Sequence, residues 1–210
     1  MSLRGFCVFC GPSLPIEDRP LDRRVTYLPP ASRGDVARAA ESHDAILIVD
    51  GVFHHDLAPA PREVFDALQR VPIFGASSMG ALRAVECAPY GAIPLGIVAR
   101  WYACERIDGD DEVAVLVEPQ TQRSLTVPSV NVRYAAALAV RRGVLPAVAA
   151  QEWVHRARDV FYADRSWENV LSLAPRSSAE ALRRIALDEG DVKRWDARFA
   201  LRSVMRRLAA

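Results

Sequence analysis

Lysine is almost absent from this chain of 210 residues: Lys193 is the only one, and the other 26 of its 27 basic residues are arginine. Arginine keeps its proton in proteins and makes a poor nucleophile, so amine chemistry must use Lys193 or be abandoned. The plain source of the bias is a GC-rich genome, since alanine is also abundant. A charge excess is missing too. Basic and acidic residues nearly cancel at a net charge of +1, which argues against nucleic acid or a membrane surface as partner. Long apolar runs are lacking: the longest, Ala45–Val49 and Ala92–Ala99, fall far below the ~20 residues a bilayer span needs. The start, Met1–Gly5, offers no signal-peptide core. Four cysteines are too few and scattered for a disulfide scaffold, so a cytoplasmic protein is the expectation. Neither G-x-G-x-x-G nor a P-loop with its lysine occurs, and no cofactor is expected. Cys7 and Cys10 match C-x-x-C, but on a strand, where they face opposite sides. Cys10, beside Gly11, is the better candidate for a reactive thiol.

What is present is an alternation. Gly5–Cys10, Ala45–Val49 and Val71–Phe74 read as short apolar strands. Asp35–Ser42, Arg62–Gln69 and Met79–Cys87 read as helices, with Pro61 suited to a first helical position. This predicts an α/β fold, a Rossmann-like or flavodoxin-like parallel sheet with helices on both faces. Ile97–Cys104 continues as helix. Val113–Val117 and Ser124–Val127 read as a hairpin, and Asn131–Arg142 as a helix capped by Ser129. From Pro146 onward the spacing is helical, through Val148–Val160, Ala179–Asp188 and Asp191–Leu208. The expected division is a core domain, 1–145, and a C-terminal helical extension, 146–210.

Ligands of open α/β sheets gather beyond the carboxyl ends of the strands. Three polar turns fall there: Gly11-Pro12-Ser13, Asp50-Gly51 and Gly75–Ser78. Ala76-Ser77-Ser78-Met79-Gly80 nearly fits the nucleophile elbow, with Ser78 central. The same residues would serve as an ordinary helix cap, or as an anion cradle of helix-start N–H groups. Arg83 and Glu86 stand one turn apart, either as a surface ion pair or with Arg83 clamping an acidic group over the helix start. A serine nucleophile would want a histidine, and His54-His55 lie in the right loop. Asp108–Glu112 could bind a metal through carboxylates, but as a solvated turn without a nearby histidine it gives no metal site. Asn131 and Arg133, at a helix start, could reach a carboxylate. Lys193 lies in the tail, far along the chain from the strand ends.

Taken in order, these blocks resemble the TfuA-like family. The match is carried by Gly11-Pro12-Ser13-Leu14, Pro29-Pro30-Ala31, Ile48-Val49-Asp50-Gly51-Val52-Phe53, Glu63, and Phe74–Ala84 with Glu86. Asp110–Ala114 and Val130-Asn131-Val132-Arg133 complete it, with echoes at Asp164–Trp167 and Lys193–Ala197. The resemblance implies work beside a YcaO-type enzyme that activates a peptide carbonyl with ATP, in making thioamide peptide natural products, some of them antibiotics. The implied task is to supply sulfide by hydrolysing a thiocarboxylated carrier of the ThiS type; a scaffold without chemistry is the alternative. On this reading Ser78, Asp50 and Ser13 are the candidate catalytic residues. Gly11, Ser77, Met79, Arg83, Glu86, Glu63, Asp111, Asn131 and Arg133 are the candidate substrate or anion contacts. The YcaO-type protein, the carrier and a precursor peptide are the implied partners. One departure stands out: the family often has His-Lys-Glu where this chain has Pro61-Arg62-Glu63.

Overall fold

The computed structural model describes residues 5–53 and 57–209. Five parallel strands, β1 (Phe6–Phe9), β2 (Val25–Leu28), β3 (Ala45–Ile48), β4 (Ile73–Ala76) and β5 (Ile93–Leu95), form one sheet in the order β2-β1-β3-β4-β5. That is the flavodoxin-like order, with its switch point between β1 and β3. The central strands are buried on both sides and contain no charged residue, as a doubly covered parallel sheet requires.

One face carries Cys7, Phe9, Ile46, Ile48 and Ile73. It is covered by helices α1 (Asp35–Ser42), α2 (Pro61–Leu68) and α3 (Met79–Glu86). These three crossovers all step across the sheet in one direction, so right-handedness stacks them on one side. The β1–β2 connection steps the other way and contains only a single 3-10 turn, Ile16–Asp18. The second face, with Phe6, Val8, Leu47 and Phe74, would therefore lie bare. It is covered instead by the last helix, α9 (Val192–Ala209), through Ala197, Ala200, Leu201 and Val204. Each such Val or Leu contributes about 1.5–3 kcal/mol on burial. Arg194 ties this helix to the β1–β2 connection through Asp18 (2.6 Å).

The helix α4 (Gly96–Ala103) follows β5. Its first N–H groups, Ile97 and Val98, donate to the Asp196 carboxylate of α9, both at 2.8 Å. Gly96 has φ 94°, and a Cβ there would lie 2.4 Å from Asp196 Cγ, so only glycine admits this approach.

Contacts group residues 1–110 with 193–210, and 111–192 separately. The expected division at 145 follows neither group. The final helix belongs with the sheet whose second face it covers. Helix α5 (Ser129–Arg141) packs on α6 (Ala147–Arg158) and α8 (Ala179–Asp188), with α7 (Trp167–Ser172) alongside α8. Their shared core holds Leu138, Trp153, Val170, Leu182 and Ile185. The expected hairpin at 113–127 is not a pair of strands: only Val117 and Ser124 form an antiparallel bridge. Ser129 is the first residue of α5 rather than its cap, which is Pro128. Among the described residues no helix is long and apolar enough to cross a membrane.

Burial pushes the Asp196 carboxyl up to about 7, and the two N–H donors only partly oppose this. The folded protein then keeps a proton that the unfolded chain has lost, so raising the pH favours unfolding. Stability is expected to fall from about pH 5, where ordinary carboxylates have already ionised, to about pH 7, with a slope of at most about 1.4 kcal/mol per pH unit. Urea midpoints measured across this window should decline in the wild type and stay flat in Asp196→Asn.

Candidate functional site

Asp50 lies two residues beyond the end of β3 and is 3% exposed. Oδ2 accepts from the Gly11 and Ser13 N–H groups at 2.8 and 3.1 Å, and Oδ1 accepts from the Ser13 hydroxyl at 2.6 Å. Such charge-assisted bonds are roughly twice as strong as neutral ones. Asp50 thereby fastens the turn after β1 to the end of β3, across the switch point. Gly11, Ser13 and Asp50 come together as the sequence suggested. They do so as a closed latch whose donors and acceptors are matched.

The turn after β4 completes the site. Ser77 has φ 69°, a left-handed value uncommon outside glycine, and the Ser78 N–H donates back to Ala76 O at 2.8 Å. That is a tight three-residue turn with its strain on Ser77, not on Ser78, the residue central to the elbow pattern in the sequence. The Ser77 hydroxyl, fully buried, donates to the main-chain carbonyl of Lys193 at 2.8 Å. Ser78, 1% exposed, has a hydroxyl with no hydrogen-bond partner. Although it stands at the cap position of α3, its side chain makes no capping bond.

Two glycines let α3 start this close to the sheet. A Cβ on Gly80 would lie 1.8 Å from Ile48 O, and one on Gly75 would lie 2.0 Å from Gly80 O. The Gly80 N–H donates to Val49 O, which links α3 directly to β3. Met79 is buried, and its side chain fills the space a Cβ on Gly51 would need.

Arg83 and Glu63, in the same unit, have partners of their own. Arg83 points away from the helix start: Nε donates to Pro59 O at 2.6 Å, and Nη1 pairs with Glu86 at 2.6 Å. Glu63 caps α1 from outside, accepting from the N–H groups of Gly34 and Val36 at 2.9 and 2.8 Å. A carboxylate thus already occupies that helix start. Asp111, Asn131 and Arg133 belong to the 111–192 unit. There Arg133 grips the fully buried Glu112 with two bonds, of 2.9 and 2.6 Å, and the Asn131 amide donates to Asp191. Asp111 is exposed. The acidic run 108–112 is therefore not uniformly solvated, since Glu112 turns inward. His54 and His55 lie outside the described residues. Cys10 is no reactive thiol: burial pushes it up to about 12, as it does Cys7. The two sit in opposite face cores.

Sequence reasoning missed Lys193 and Asp196. Lys193, far along the chain from the strand ends, is brought to them by α9, which sets its main-chain carbonyl on Ser77, and the residue is only 3% exposed. The available signal was the rarity of lysine itself.

This is an α/β protein of flavodoxin-like order, with its polar side chains gathered at the switch point of the sheet. A family model described as TfuA-like protein matches residues 50–166, more than half of the chain. The chain belongs to that family. No curated protein matches it.

Replacing the latch should unfasten two turns at once. Asp50→Ala is expected to cost about 3 kcal/mol or more, since two buried N–H groups and a hydroxyl lose their acceptor. Ser13→Ala, which removes one neutral donor, should cost about 1 kcal/mol. Gly80→Ala should exceed the ~3 kcal/mol typical of overpacking, because its Cβ meets backbone that cannot step aside. Urea unfolding should find Gly80→Ala the most severe, Asp50→Ala next and Ser13→Ala the mildest.

Proposed function

We propose that this protein acts beside a YcaO-type enzyme in ATP-dependent thioamidation of a peptide backbone. Its part is to supply sulfide by hydrolysing a thiocarboxylated carrier of the ThiS type. Membership of the TfuA-like family supports a role as an accessory protein in thioamide biosynthesis, and with it association with a YcaO-type partner. The observation that carries the reading to a site is Ser78. A buried hydroxyl left without a partner costs about 1–3 kcal/mol, while its neighbours Ser13 and Ser77 are both satisfied. An anionic thiocarboxylate arriving at the start of α3 would accept from it, close to the strained turn. In the reaction a water oxygen forms the new C–O bond, the C–S bond breaks, and sulfur leaves as hydrosulfide. The water's protons pass to the hydrosulfide and to solvent. Ser78 orients and polarises the thiocarboxylate.

A second reading, a noncatalytic binding module for the YcaO-type enzyme and its precursor peptide, draws on a different observation. Ser13, Asp50, Ser77 and Ser78 are each 3% exposed or less, so the site is closed in the free protein. A serine hydrolase draws less support, because no described histidine bonds to Ser78 or Ser77.

The test is sulfide release from a thiocarboxylated carrier. Wild type should release sulfide, and Ser78→Ala should reduce the rate at least tenfold with an unchanged or higher melting temperature. No release by wild type alone, restored only with the YcaO-type enzyme present, would favour the module. Undiminished release by Ser78→Ala would remove that hydroxyl from the mechanism.

A further inference from the structure

A second, separate group of polar side chains lies in the 111–192 unit. It draws together three stretches distant in sequence: Asp111-Glu112, the start of α5, and Arg165. Glu112 is fully buried and satisfied, by Arg133 through two bonds and by Arg158 at 3.3 Å. Arg165 is not. It is 2% exposed, and only its Nη2 finds an acceptor, the Val160 carbonyl at 3.1 Å. Its Nε and Nη1 are buried without a hydrogen-bond partner. Burial lowers its pKa, a pull that Asp111 and Glu112 oppose and Arg158 reinforces. The Arg165 main-chain carbonyl accepts from the Val127 N–H at 2.6 Å, two residues before α5 begins. There Ser129, 1% exposed, also has a hydroxyl without a partner.

Unmatched buried donors are rare and costly, at about 1–3 kcal/mol each and more when charged. Two of them flank one junction, and all they lack is an acceptor. The charges say which kind. Arg133, Arg158 and Arg165 face two carboxylates, Glu112 and Asp111. Asp191, which accepts from the Asn131 amide in the first turn of α5, adds a third carboxylate, so what the group lacks is acceptors rather than charge. A single carboxylate supplies two acceptor oxygens, whereas a phosphate dianion would bring a second negative charge into buried surroundings. The free Nε and Nη1 lie on different edges of the guanidinium, so the carboxylate meets one of them and keeps its second oxygen for the Ser129 hydroxyl.

We propose that Arg165 is the centre of a carboxylate-binding site at the start of α5, with Ser129 as the neighbouring hydroxyl donor. Its ligand is a peptide carboxylate, from a chain terminus or an acidic side chain. The segment between Val113 and Val127 touches Arg165 and holds one isolated bridge rather than a strand ladder. It can yield locally at the loss of few backbone bonds. Its occupation does not depend on Ser78.

The experiment titrates the full-length protein calorimetrically, at one ionic strength, with three N-acetylated peptides and inorganic phosphate. The peptides are triglycine, triglycinamide, and Gly-Asp-Gly with an amidated end. Binding of triglycine or of the Asp peptide, but not of triglycinamide, is the expected result, and which one binds separates terminus from side chain. Arg165→Gln should weaken that binding at least tenfold. Ser129→Ala, too small a change to threaten folding, should weaken it several-fold, while Ser78→Ala should leave it unchanged. Binding of phosphate alone, of all three peptides equally, or of none would overturn the proposal. So would unaltered affinity in folded Arg165→Gln, or in Ser129→Ala should the arginine variant not fold.

Discussion

A parallel sheet has two apolar faces, and this chain supplies crossover helices for only one of them. With no helix between β1 and β2, the face holding Phe6, Val8, Leu47 and Phe74 depends on a helix more than a hundred residues downstream. Much else in the 1–110 and 193–210 unit follows from that return. Two buried polar contacts, besides the Arg194–Asp18 pair, position α9. The Ser77 hydroxyl bonds the Lys193 carbonyl, and Asp196 receives the first N–H groups of α4. The first of these makes a candidate site residue also a fastening of the core. Cutting the chain near residue 145 would therefore strip the sheet of half its cover, and could not isolate a docking segment.

The strand ends carry two kinds of polar group, which chemistry separates. Asp50 has its oxygens engaged by three donors, and Glu63 is spent on the start of α1. A carboxylate so engaged holds backbone in place. Ser78 is the reverse, buried at a cost with nothing in the described fold to recover it. The departure at Pro61-Arg62-Glu63 fits this division. Pro61 opens α2, Arg62 lies on the surface with Asp66, and Glu63 acts on backbone, so that stretch gives the site no proton carrier.

The legible parts of the fold were those fixed by local pattern. The helices at Asp35–Ser42 and Ala179–Asp188 fall where their apolar spacing put them, and β1, β3 and β4 lie where short apolar runs meet turns. The edge strands were not legible. β2 is only half-buried, with Thr26 exposed, and β5 contains Pro94, which an edge position tolerates. Spacing showed that the last helix has an apolar side but could not say what it covers. The site divided the same way. The turns were found because strand ends are predictable, but the direction in which Arg83, Arg133 and Lys193 point depends on long-range packing.

The scarcity of lysine acquires a physical meaning from this packing. A guanidinium can bond two acceptors at once, and two half-buried arginines here do so: Arg83 bridges Pro59 and Glu86, and Arg133 grips both oxygens of Glu112. Lysine, a compact and strongly hydrated charge, would meet those geometries poorly. What began as base composition in the genome has thus been used structurally, with arginines holding loops and buried carboxylates. Arg165 is the exception that sharpens the rule. It has the same chemistry and deeper burial but only one acceptor, so its remaining N–H groups ask for a carboxylate that the described fold does not contain.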